Sequence, residues 1–275
     1  MLLDTNAPPL RIGLWLDALK LDVRAALKRI APWGLDALAL DGFGAEVNPR
    51  ALTETGRRDL AHRFQAGGLR AAALRLDVGG RRLADPATLD TNLARIGEGF
   101  DLARDLGIAR AWVPLGYVPA AGEPNAETIR RALSDALGAL EAFSTRTGVR
   151  PVVPAGAEPA EELAAFLDAR DPGRLFEVDL QPGRFVGRGS DPLDALSRLA
   201  ARLGLASVYD AWRGGGEAPF GAGDVDWGPL IVGLSTAARA DGLPLLAATS
   251  REGDRPALLL AAVERLKRLR ANPLG

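Results

Sequence analysis

The chain has no cysteine and a single histidine, His62, among its 275 residues. Without cysteine there are no disulfides, no thiolate nucleophile and no Cys-based zinc site. The one histidine lies beside Arg63 in a charged, helix-patterned segment and reads as a surface residue rather than a catalytic one. Lysine is scarce too. Lys20, Lys28 and Lys267 are the only three among 34 basic residues, which we read as compositional bias toward arginine rather than phosphate chemistry. A net charge of −1 gives no reason to expect nucleic acid or an anionic membrane as a partner. No apolar run reaches membrane-spanning length. The opening MLLDTNAPPLRIGLWL has an acidic residue ahead of its short apolar run and no basic segment, which argues against a signal peptide. These lacks predict a soluble, cytoplasmic protein.

What the chain does hold is a rhythm, and 47% hydrophobic residues are ample for a large core. Strand-like runs at 11–16, 35–40, 69–76, 109–115, 150–153, 175–181, 206–210 and 243–248 alternate with helical ones. The helical runs cover 22–30, 54–65, 85–106, 126–145, 159–169, 192–203, 227–240 and 256–270. Asp22 opens the first helix, and glycines at 67, 68 and 107 stop the second and third. Eight such pairs in one run predict an α/β fold, a (β/α)8 TIM barrel, better than an open doubly wound sheet. No linker or low-complexity stretch marks a second domain, so residues 1–275 read as a single domain.

The most informative stretch is 176–196, FEVDLQPGRFVGRGSDPLDAL, which reads as a strand, a glycine-rich loop and the start of a helix. Phe176, Val178 and Leu180 alternate with Glu177, Asp179 and Gln181, giving one apolar and one polar face. Ser190 or Asp191 can cap the next helix, with Pro192 at its first position. In a barrel the chemistry sits where the strands end. That selects Asp41, Asp77, Tyr117, Glu158, Asp179 and Gln181, and in the second half Arg184, Ser207, Tyr209, Asp210, Trp212 and Glu252. Two glycine runs, 187–189 and 214–216, with Arg184, Arg188 or Arg213 nearby, fit neither a Walker nor a dinucleotide fingerprint and read as flexible loops. Asp224 and Asp226, ahead of Trp227, read as N-cap residues near a helix dipole. Trp33 and Trp227 read as packing residues.

Four segments carry a resemblance: RIGLWLD at 11–17, LARDLGIARAWVPLG at 102–116, the stretch 176–196, and APFGAGDVDWGPLI at 218–231. On them the chain resembles the sugar-phosphate isomerase/epimerase family of xylose-isomerase-like barrels over nearly its full length. That family's version of the last segment typically reads PLGEGDVDW. The resemblance implies a divalent metal such as Mn, Mg or Zn. Its ligands would be a Glu ending the fifth strand, an Asp ending the sixth, a His in the seventh and a Glu ending the eighth. Neighbouring acid/base residues would shift a proton between adjacent sugar carbons.

Position by position, the chain departs at every ligand. Pro154, Gln181, about Ser207 and about Ala248 stand where the four would be. A two-residue slip would bring Asp179 to the sixth-strand position, but the spacing from Gly189 to Pro192 argues against it. Pro, Ser and Ala offer no anionic oxygen or imidazole, and a neutral Gln carbonyl is a weak ligand. The reading is therefore no metal and no cofactor.

Three functions follow from this. One is a diverged, non-catalytic barrel that binds a carbohydrate or sugar phosphate, or another protein. A second is an active isomerase or epimerase with Glu177 or Asp179 as base. A third is a metal enzyme with unexpected ligands such as Asp41, Asp77, Asp179 and Asp210. In the first two, Trp15, Tyr117, Tyr209 or Trp212 offers a face to a sugar ring, and Asp77, Glu158, Gln181, Arg184 and Asp210 line the site. The plainer alternative is that Glu177, Asp179 and Arg75 form a buried ion-paired network filling the barrel.

Overall fold

The structure is a computed structural model that describes residues 10–79, 82–120 and 122–274. Most of the opening segment used to argue against a leader therefore lies outside the described residues. The strands are β1 (Leu10–Trp15), β2 (Ala37–Asp41), β3 (Arg70–Arg75), β4 (Arg110–Trp112) and β5 (Arg150–Ala155). Then follow β6 (Glu177–Leu180), β7 (Leu203–Val208), β8 (Asp210–Ala211), β9 (Glu217–Ala218) and β10 (Leu243–Ala247). Hydrogen bonding joins eight of them in the order β1-β10-β7-β6-β5-β4-β3-β2 and closes, which is the (β/α)8 class that the alternating pattern predicts. The other two, β8 and β9, form a small antiparallel ribbon in a segment expected to hold the end of the seventh strand, at 210, and then a glycine-rich loop.

The helices are α1 (Val23–Ile30), α2 (Glu54–Ala66), α3 (Leu89–Asp105), α4 (Ala126–Thr147) and α5 (Ala160–Arg170). They continue with α6 (Pro182–Gly187), α7 (Pro192–Leu199), α8 (Trp227–Ala237) and α9 (Arg255–Ala271). Caps explain most boundaries. Asp22 accepts from Ala25 N at 2.7 Å, and Asp191 accepts from Leu193 N at 2.8 Å with Pro192 opening α7. Two expectations are corrected. The third helix begins at Leu89 rather than 85, because Asp85 folds a turn instead, accepting from Ala87 N at 3.1 Å. The glycine-rich loop after β6 holds the short helix α6, started by Pro182, whose fixed φ suits a first helical position.

The chain divides into two compact units. The first comprises residues 1–38 and 179–275. In it β1 and β10 pair in parallel, Ile12 opposite Leu245 and Leu14 opposite Ala247, and β10 pairs with β7. Every residue of β7 and β10 is buried, as in a parallel sheet covered on both faces. The closing helix α9 is tied back to the start of the chain. Lys267 Nζ donates to the Trp33 carbonyl, and Arg270 donates to Leu10 O at 3.0 Å and to Asp36 at 2.7 Å. Asp36 also accepts from Ile12 N at 2.9 Å, and Trp33 is buried, as its packing role predicts. The second unit comprises residues 39–178, in which β3, β4 and β5 pair in parallel and α3 lies against α4 through Phe100 and Phe143, with ring centroids 5.7 Å apart.

Gly13 in β1 shows how closely the strands approach in the first unit. A Cβ there would lie 2.2 Å from the Ala37 carbonyl oxygen and 2.6 Å from its carbon, so backbone rather than a flexible side chain would have to yield. We expect Gly13→Ala to cost about 3 kcal/mol, the upper end of the range for overpacking a core. Urea denaturation measures it; an unchanged midpoint would mean the two strands separate freely.

Candidate functional site

In the first unit the ends of β1, β6 and β7 bring four polar side chains into one bonded cluster. Asp179, with no exposed surface, has a carboxylate that accepts from Ser207 N at 2.6 Å and Ser207 Oγ at 2.8 Å. The Gln181 amide donates to it at 2.9 Å. Trp15 Nε1 donates to Ser207 Oγ at 2.9 Å, so the serine hydroxyl passes its own proton on to the carboxylate. Burying an ionised carboxylate is costly unless donors replace its water shell, and these three do so. At the rim Gln181 Oε1 accepts from Arg184 at 3.4 Å. β6 ends at Leu180, which leaves Gln181 at the strand end and Asp179 inside the strand.

Tyr209 follows β7 and lies over α6. A Cβ on Gly183 would come 2.7 Å from the tyrosine ring, so glycine is what lets the ring settle there. Burial pushes the Tyr209 phenol up to about 12; Arg184 opposes the shift, while Asp179 and Glu217 add to it. The hydroxyl therefore stays protonated at any physiological pH.

Asp210, expected among the substrate-lining residues, is the hub of its own loop. Its two oxygens accept from Ala211 N at 2.9 Å, Gly221 N at 2.8 Å, Gly223 N at 3.3 Å and Val225 N at 3.3 Å. Trp227 Nε1 donates to it at 3.1 Å. A carboxylate offers about four lone-pair directions, so none remains for a ligand. The segment GAGDVDW is thus a wrapping for Asp210. Asp226 does stand at the N-cap of α8 but makes no capping hydrogen bond there, and Asp224 accepts from Arg213 N at 2.7 Å, correcting the capping expectation. Trp212 is 44% exposed at the tip of the β8–β9 ribbon, held by bonds to Gly215 and Gly216. Gly214, Gly215 and Gly216 there all have positive φ, which glycine alone adopts freely.

The second unit holds further candidates. Glu177 is buried at the start of β6, where it accepts from Arg110 at 2.7 Å and Arg150 at 3.1 Å. Arg110 and Arg150 stand opposite each other where β4 and β5 begin. This is the strand-start end, whereas barrel chemistry uses the strand ends. Arg75 lies 3.7 Å from Asp41. Asp77 accepts from Gly79 N at 2.9 Å and meets Arg82 at 3.3 Å. Tyr117, 39% exposed, donates to Glu123 at 2.7 Å, and this bond, with one from Ala120 N, holds the Glu123 carboxyl below its ordinary range. Glu158 is buried and accepts from Val118 N at 3.5 Å. His62 is exposed on α2.

Glu217, Thr249 and Arg251, outside the sequence-based selection, line one cavity with Tyr209, and Ser250 joins them through Glu217. Glu217 accepts from Thr249 Oγ1 and, at 2.8 Å, from Ser250 N, while Arg251 donates to the Glu217 carbonyl at 2.7 Å. No motif marks them. Their one signal is position, on the segments that follow the seventh and eighth barrel strands.

The residues at the family's ligand positions do not suit a divalent cation. Gln181 turns its amide nitrogen to Asp179, Ser207 serves the same carboxylate, and Pro154 and Ala248 carry no side-chain donor atom. Among the described residues no group of three His, Asp or Glu side chains is placed to hold a metal ion.

No known family's sequence profile matches the chain, and no curated protein resembles it closely in sequence. Solved structures do share its fold. A xylose isomerase domain protein from Planctomyces limnophilus superposes with a TM-score of 0.76 at 20% identity, covering 96% of this chain and 97% of that one. D-psicose 3-epimerase from Clostridium cellulolyticum H10, solved with D-tagatose, gives 0.76 at 13% identity over 95% and 99%. A sugar phosphate isomerase/epimerase from Parabacteroides distasonis gives 0.69 at 16% identity over 98% and 96%. The fold is thus that of the xylose-isomerase-like TIM barrels, as the four sequence segments implied.

The environment of Tyr209 is open to direct measurement. In a Tyr117→Phe protein, where Tyr209 is the remaining tyrosine, tyrosinate absorbance should rise with a midpoint of about 12. Because the folded value lies above the unfolded one, this residue's contribution to stability is intact below pH 10 and declines as pH climbs through about 12. A midpoint at the ordinary 10.0 would place the phenol in solvent.

Proposed function

We propose that this chain is a carbohydrate-binding barrel on a sugar isomerase/epimerase scaffold that neither isomerises its ligand nor employs a divalent metal. One observation carries the reading. The Asp179 carboxylate has no exposed surface and is held by Ser207 N, Ser207 Oγ and the Gln181 amide. A general base must reach the proton it removes, within about 3 Å or through one water. Asp179 is shut off from any such approach, and Glu177 is neutralised by two arginines at the strand-start end. A metal centre needs anionic oxygens or imidazoles aimed at one point, and the corresponding residues offer neither.

The ligand side of the proposal rests on the first unit's strand ends. Gln181, Arg184 and the neutral phenol of Tyr209 supply hydrogen bonds there, and Trp212 presents an exposed ring at the ribbon tip. Aromatic faces beside a few polar groups suit the mixed apolar and hydroxylated surface of a sugar. The D-psicose 3-epimerase of the same fold was solved with D-tagatose, which favours a sugar among small polar ligands. We assign Asp210 and Glu177 to structure. The protein is further proposed to act as one domain, in the cytoplasm, without nucleic acid or membrane partners.

Incubation with a panel of ketoses and ketose phosphates in D2O, with and without Mn²⁺, tests the absence of catalysis. NMR should show no deuterium entering any sugar beyond the buffer control. Enzyme-dependent exchange at a carbon next to a carbonyl, in either condition, would establish an isomerase or epimerase instead.

A further inference from the structure

In the first unit a partly open cavity of about 20 Å³ lies between the segment after β7, the segment after β10 and the first turns of α9. It holds roughly one water-sized group. Its walls mix apolar surface from Ala248, Leu258 and Leu259 with the polar side chains of Tyr209, Glu217 and Arg251.

The hydrogen-bonding around it is nearly, but not fully, satisfied. Arg251 Nη1 donates to the Glu217 carbonyl at 2.7 Å, yet Arg251 Nε is buried and meets no acceptor. A buried donor left unmade costs about 1–3 kcal/mol, so such groups usually find a water or a ligand. On the other side, the Glu217 carboxylate takes three donors: Thr249 Oγ1 on one oxygen, and Ser250 N and Ser250 Oγ, at 2.8 and 2.5 Å, on the other. A carboxylate can accept about four, which leaves one lone-pair direction on the oxygen that Thr249 reaches. Tyr209 lines the same cavity as a neutral phenol.

One open donor and one open acceptor, in a space for one small group, describe the complement of a hydroxyl. An anion there would meet the Glu217 carboxylate, and a cation the Arg251 guanidinium. Water satisfies the same pair when no ligand is bound. We propose that this cavity seats one hydroxyl of a sugar or polyol, with Arg251 Nε donating to its oxygen and Glu217 accepting its proton. The proposal rests on the carbohydrate-binding reading and narrows it: the group seated here is a hydroxyl, since a phosphate is larger than the cavity and would meet the Glu217 carboxylate.

Ligand-observed NMR and calorimetry can compare sorbitol, D-fructose and D-psicose with fructose 6-phosphate. The native protein should bind at least one of these compounds. Arg251→Met, which removes the donor while keeping much of the stem's bulk, should weaken that binding about tenfold. Ala248→Leu fills the cavity from the strand end without touching its polar groups, and should abolish binding in a protein whose circular dichroism is native. If no sugar of either kind binds, the carbohydrate reading falls and takes this proposal with it. If a sugar binds but both variants bind it like the native protein, the hydroxyl subsite alone is refuted.

Discussion

The carboxylate of Asp179 sets the terms for the rest of the site. It is wholly buried, so donors must replace its water: Ser207 and Gln181 reach it directly, and Trp15 reaches it through the Ser207 hydroxyl. Trp15 ends β1, Ser207 lies near the end of β7, and Gln181 follows β6 directly. The result is a relay from indole to hydroxyl to carboxylate that fixes three strand ends relative to one another. Such a group binds its neighbours tightly because leaving any of them unmet is expensive. On the proposed reading, the same tightness removes it from chemistry.

Two other acidic residues follow this pattern at different places. Asp210 collects four backbone N–H groups and one indole, turning a glycine-rich loop into a defined one. Glu177 joins Arg110 and Arg150 where β4, β5 and β6 begin. Its near-complete burial makes the ion pairs a matter of mutual dependence rather than of large net stability: the loss of an arginine would leave a buried charge less well compensated. On the proposed reading, in each case a residue type that could do acid/base work instead holds the scaffold.

Much of the fold was legible in the sequence, because alternation of period two and helical spacing survive tertiary packing. The runs at 11–16 and 243–248 became β1 and β10 within a residue at each end. Where the reading slipped, the causes are local. The third helix starts four residues late because Asp85 finds a nearer partner in Ala87 N. The segment 182–189 looked like a loop because glycine is a poor helix former, but Pro182 starts a turn that the close packing of Gly183 against Tyr209 holds. The site was less legible than the fold. Alternation puts Glu177, Asp179 and Gln181 on one face, yet it says nothing of which end of the barrel each occupies or which donors reach it. Arg251 and Glu217 met no sequence criterion, since their pairing through Thr249, Ser250 and a carbonyl exists only once the two loops fold together.

The central claim is that the Asp179 carboxylate is occupied by the protein's own donors. Titration of the metal-stripped protein with Mn²⁺ and Zn²⁺, followed by calorimetry, tests it most directly. The account predicts no saturable site, and heats of titration unchanged when Asp179 is replaced by Asn. One cation bound per chain at micromolar affinity, and lost in Asp179→Asn, would contradict it.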